Sequence, residues 1–169
     1  MSDASLTFDM SSPGDFLEKL KCELEAVDED LTSARHAINA ALTAWHLPEW
    51  VWGRVVKKDY ELRNSLGSDV ARGGFEDFRD FVLEECPEMK TMRDIATGSK
   101  HLGTDGADVA ETAQHNGAFS DEFSRAFDIS RLEVTNTDGV TTYFDQVLEK
   151  VVRYWDGFFD DHLRDGFDT

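Results

Sequence analysis

The feature that most constrains this chain is an apolar row that starts just after Ser12-Pro13 and ends at Trp45. Leu17, Leu20, Leu24, Val27, Leu31, Ala34, Ile38, Ala41 and Trp45 recur at alternating steps of three and four residues. That spacing holds one narrow stripe on one side of an α-helix. It predicts a single rod of about 33 residues, on the order of 50 Å long. Ser12 suits the N-cap, Pro13 the first helical position, and Asp15 and Glu18 the positive end of the helix dipole. Pro48, which disfavours helix at Leu47, marks the far end.

A rod with one apolar side must close on another. The second lies near the C-terminus, from about Asp145 to Leu163. There Val147, Leu148, Val151, Val152, Trp155, Phe158, Phe159 and His162 form a broad face, with Glu149, Lys150, Asp156 and Asp160 opposite. Between the rods, a helix is expected from Pro48 to about Arg63, with Trp52, Val55 and Val56 inward. Residues 64–74, rich in Gly and Ser, read as a loop. A third helix runs from Phe75 to about Glu85 until Cys86-Pro87 breaks it. A fourth follows from Pro87, carrying Met89, Met92, Ile95 and Ala96, with Gly98 as its left-handed C-cap.

From Leu102 to Ser130 the helical stripe disappears. A structureless run of that length is improbable in one domain, so a weak strand is placed at Ala107 to Thr112. A hairpin follows: Phe127 to Thr135, a turn through Asn136-Thr137-Asp138-Gly139, then Val140 to Phe144. The Asp-Gly pair supplies the positive φ such turns need. The fold class is mainly α (α+β), a helical bundle with a small antiparallel sheet inserted before the closing helix. A single domain is expected over 12–164, with the β insertion at about 105–144. Residues 1–11 are expected to be disordered and 165–169 to fray.

Charge narrows the function. The chain has 35 acidic and 17 basic residues, a net charge of -18. A core cannot hold that many carboxylates, so the surface is anionic. It repels phosphate backbones and anionic lipid, which removes the usual electrostatic footprint of a nucleic-acid binder. Plain solubility, a salt-rich habitat and docking onto a basic protein surface all remain open. Cys22 and Cys86 read as free thiols in a reducing compartment. No stretch approaches the roughly 20 apolar residues of a membrane span. The N-terminus also lacks a signal-peptide pattern, so a cytoplasmic location is expected.

Two polar or aromatic clusters stand out. Arg93-Asp94-Ile95-Ala96-Thr97-Gly98-Ser99-Lys100-His101 gathers three basic-type side chains at a helix C-terminus, where cations complement the dipole. Read functionally, His101 is a general acid or base, with Arg93 or Lys100 holding an anion. Trp45-His46-Leu47-Pro48-Glu49-Trp50-Val51-Trp52 reads as a core plug at a helix corner. Its functional alternative is a ligand pocket walled by Trp45 and Trp50 with His46 on the rim. No C-x-x-C, H-x-x-x-H or H-E-x-x-H spacing occurs, so no metal and no cofactor is expected.

With Trp45-His46-Leu47, Cys86-Pro87-Glu88 and the Asp94–His101 run, the chain resembles a group of functionally uncharacterised bacterial and prophage-encoded helical proteins. These carry a "CP…D-I-A-N-G-S-K-H" segment, with Thr97 here in place of the Asn. The resemblance covers about Asp15 to His162 and implies the helical fold, not an activity. The chain is also faintly similar to HEPN (higher eukaryote and prokaryote nucleotide-binding) domains, many of them ribonucleases. Their hallmark is an Arg and a His four to six residues apart on one helix, whereas Arg93 and His101 have seven between them. Three readings follow. The first is an acidic interaction protein without enzymatic activity. The second is a HEPN-like ribonuclease or a degraded relative using Arg93, Lys100 and His101. The third is a small-ligand binding domain.

Overall fold

The computed structural model describes residues 7–101, 106–120, 122 and 124–163. Residues 1–6 of the segment expected to be disordered, and the tail 165–169, lie outside that range. Helix α1, Pro13–Glu29, starts where the sequence places it. The Ser12 hydroxyl accepts the Asp15 N–H, while the Asp15 carboxylate accepts the N–H groups of Ser12 and Ser11, each at 2.8 Å. This reciprocal cap satisfies donors that the first turn cannot.

The expected 33-residue rod is instead a helical hairpin. α1 ends at Glu29, and α2 spans Ala34–Arg54. The break is local chemistry. Asp30 leaves helical geometry, and its side chain accepts from both the N–H and the hydroxyl of Thr32. Ser33 then caps α2 by accepting the His36 N–H. In α1 the expected row is the one that packs, but in α2 the buried stripe is Ala37, Ala40, Ala41, Ala44 and Leu47, which leaves Ala34 and Ile38 of the expected row exposed. Phe16 stacks on Trp50 at 4.4 Å, and Lys19 donates to Thr43, which sets the arms antiparallel.

Pro48 does not end α2. It lies inside the helix, buried, and removes one backbone donor at a cost of about 3 kcal/mol. Leu47 and Val51 beside it are fully buried, each stabilising by roughly 1.5–3 kcal/mol, so continuous packing outweighs the local preference. The helix expected from Pro48 to Arg63 is therefore three pieces: the end of α2, a 3-10 turn at Val56–Lys58, and α3, Tyr60–Ser65. Asp59 starts α3 by accepting the Leu62 N–H. The loop expected at 64–74 contains α4, Ser68–Arg72, entered through Gly67 at φ 123 and held by buried Val70 and Ala71.

α5, Phe75–Glu85, and α6, Met89–Lys100, flank the Cys86-Pro87 break. Gly98 is not a left-handed cap. α6 runs through it to Lys100, and His101 caps the end in an extended conformation. The strands are β1 Val109–His115, β2 Arg131–Asn136 and β3 Thr141–Tyr143, in antiparallel order β1-β2-β3. They start later than the sequence suggests, while the turn lies as expected, with Gly139 at φ 81. α7, Phe144–His162, closes the domain. Its Trp155, Leu148 and Val151 are fully buried among Leu20, Leu47, Phe78 and Met89.

Backbone hydrogen bonds from Ser11 and Ser12, then the Ser12 hydroxyl, hold the Asp15 carboxyl below its ordinary value. Its contribution to stability is thus present above about pH 4 and lost as pH falls through the lowered folded value. Urea melts should show wild type losing more stability on acidification than Asp15→Asn; equal losses would contradict the cap.

Candidate functional site

α6 presents its polar run toward the start of the sheet. Asp94, only 7% exposed, accepts the backbone N–H groups of Asp108 and Val109 at 2.6 and 2.9 Å. Arg93 donates to Asp94 at 2.8 Å and to Asp108 at 2.5 Å. Those two carboxylates hold the guanidinium above its ordinary value, against the opposing effect of burial. The Arg93–Asp94 pair thus fastens the first residue of β1 to α6. Lys100 and His101 are exposed at the far end of the helix. His101 follows Arg93 by eight positions, about 12 Å along the axis, and Arg93 is committed to carboxylates. The structure does not bring Arg93, Lys100 and His101 onto one anion.

The tryptophans also diverge. With Pro48 inside α2 there is no corner, and the three rings follow helical geometry. Trp52 stacks on Phe78, Trp45 meets the Arg79 guanidinium, and Trp50 packs between Phe16 and Arg54. Trp50 lines an open hollow with Glu49, Gly53, Arg54 and Lys58, to which neither Trp45 nor His46 contributes. His46 is exposed.

The densest charge network is one that sequence reasoning missed. Asp145, in the first turn of α7, is 2% exposed and lies 3.6 Å from Arg131 of β2 and 3.4 Å from Arg125. Arg125 also pairs with Glu149 and with Asp28 of α1. Arg131, itself 3% exposed, covers the Tyr143 ring and donates to the Arg125 carbonyl. Burial pushes the Asp145 carboxyl up, and the pull of the two guanidiniums does not cancel it. The only sequence signal was an arginine within an expected strand and an aspartate opening a helix, and such residues are usually solvated. On the outer face of the sheet, His115 pairs with Asp128 at 2.5 Å and packs edge-on to Tyr143. The pairing holds the exposed Asp128 carboxyl below its ordinary value.

Cys86 is buried, its thiol pushed up to about 11 chiefly by desolvation, whereas Cys22 is exposed. Among the described residues no group of three or more His, Cys, Asp or Glu side chains could hold a metal ion, and no helix is long and apolar enough to cross a membrane. Compared with protein-family models, curated proteins and solved structures, the chain matches none.

Among the described residues, removing Arg131 leaves the buried Asp145 carboxylate with only the exposed Arg125 beside it. Arg131→Met should destabilise the fold by about 3–5 kcal/mol, and the apolar double variant Arg131→Met/Asp145→Leu should recover most of that loss. A single-variant cost below about 1 kcal/mol in urea melts, the range of an exposed pair, would show that the network is solvated.

Proposed function

We propose that this protein is an acidic docking module that binds a basic protein partner and performs no chemistry of its own. Seven of its 17 lysines and arginines, Lys19, Lys21, Arg79, Arg93, Arg125, Arg131 and Lys150, are tied to carboxylates of the same chain. Each such pair also uses at least one carboxylate, so the excess of 35 acids over 17 bases still sets the sign of the surface.

The observation that carries the reading is a recess beside α4 and α5. Asp69, Asp77, Asp80 and Glu84 converge there over Leu66 and Phe81, in a hollow of about 370 Å³ with no lysine or arginine among its described lining residues. Asp77 is partly committed, because it accepts the Gly74 N–H at 2.7 Å. The other three acids are set to meet cationic side chains, and such complementarity sets encounter rate and orientation. A HEPN-like ribonuclease would need Arg93 free to meet a phosphate together with His101. The bonds from Arg93 to Asp94 and Asp108 favour docking instead.

Binding to purified cationic proteins, followed by calorimetry, should weaken steeply with added salt. The triple reversal Asp69→Lys/Asp80→Lys/Glu84→Lys should lower affinity about tenfold or more with the melting temperature preserved. Salt-insensitive binding, or full affinity in the reversed variant, would contradict the proposal.

A further inference from the structure

Among the described residues β1 is an edge strand, and its outward face is defined by register. The Asn136 N–H donates to the Val140 carbonyl, so the alternate residues Val134 and Leu132 also turn their backbone groups away from β1. The Leu132 N–H accordingly reaches the Leu31 carbonyl at 2.8 Å. Arg131, Glu133 and Thr135 are then the β2 residues bonded to β1, opposite His115, Ala113 and Glu111. Thr112 and Gln114 are left with backbone N–H and C=O groups pointing out of the sheet. A bulge between Val109 and Glu111 ends this open stretch on one side.

The side chains beneath that edge complete a receptor. Thr112 and Gln114 share the helix-facing side of the sheet with their partners Val134 and Leu132. With Ala37, Ile38 and Ile95 they line a groove of about 350 Å³, and Ile38, Ile95 and Thr112 also line its continuation along α6. Ile38 remains 37% exposed although Ala37 and Ala41 beside it are buried. On the other face, exposed Glu111 alternates with Ala113 and His115, with Glu133 on the neighbouring strand.

We propose that the β1 edge accepts an extended segment of a cationic protein as a fourth strand. Apolar side chains at alternate positions enter the groove over Ile38 and Ile95, and lysine or arginine at the intervening positions meets Glu111 and Glu133. Main-chain hydrogen bonds to Thr112 and Gln114 give affinity, and the alternation gives specificity. This rests on the docking reading above and adds a second point of attachment, apart from the α4–α5 recess, and the form in which the partner binds there. Charge argues against a second copy as the occupant, since pairing β1 with β1 would set two bodies of -18 edge to edge.

The probe is a fluorescent peptide of about eight residues, a usual strand length, alternating valine and lysine. Its control has the same composition with the two residue types segregated. Anisotropy at low ionic strength should show the alternating peptide binding about tenfold tighter or better. Thr112→Pro removes only an outward N–H, which an edge strand tolerates. It and Ile38→Asp should each cut that affinity about tenfold while circular dichroism stays native.

Equal binding of the two peptides, or unchanged affinity in folded Thr112→Pro, would overturn the edge site and leave charge-driven docking standing. Failure of both peptides to bind, while cationic proteins still do, would overturn the edge site in the same way. Loss of all cationic binding would remove the docking reading itself. Sedimentation showing self-association that Thr112→Pro abolishes would name a second copy as occupant and overturn the proposal.

Discussion

Sheet and helices are joined across a charge pair that neither residue type would normally bury. Arg131 on β2 and Asp145 at the start of α7 are both almost fully out of water. With Arg125 and Asp28 they join sheet, loop, α7 and α1. Two charges removed from solvent cost several kcal/mol each, so the arrangement persists only while each keeps its partner. Asp145 sits where a helix N-terminus favours an anion. Burial nonetheless outweighs the guanidiniums and holds its carboxyl above the ordinary value.

That anchor lies along β2, and its position decides what is left open. Leu132 is tied by its N–H to the α1–α2 turn, Val134 and Phe144 are buried, and β3 runs directly into α7. β1 is fastened to the helices at its start, where Asp94 holds the N–H groups of Asp108 and Val109, and at its far end His115 pairs with Asp128 of the loop. Its middle overhangs α2 with small and polar side chains, so an apolar groove remains beneath a strand edge. In a chain with 35 acids against 17 bases, both the groove and the α4–α5 recess offer negative charge to whatever approaches.

The architecture was largely legible in the sequence. The N-cap at Ser12, the α5 boundaries, the Asp138-Gly139 turn and the face of α7 all depend on contacts within a few residues. The errors were tertiary. An unbroken apolar rhythm describes a long rod and a folded hairpin equally well, and only the short polar string Asp30 to Ser33 tells them apart. Pro48 reads as a terminator until Leu47 and Val51 are known to be buried on both sides of it. The polar run Arg93 to His101 reads as a cluster in one dimension. On a helix it spreads along the axis, and Arg93 turns to Asp108, fifteen residues away. The buried network around Asp145 had no local signature, because its members come from four separate segments.

Amide exchange along β1 in the free protein, followed by NMR, tests the account most directly. If the sheet is anchored through β2 with its β1 edge open, the amides of Glu111, Ala113 and His115 exchange slowly. Those of Thr112 and Gln114 exchange at rates near those of unstructured chain. Uniform protection across the five residues would mean that the edge is already covered, and uniform fast exchange that the strand does not pair with β2; either pattern contradicts the structure described.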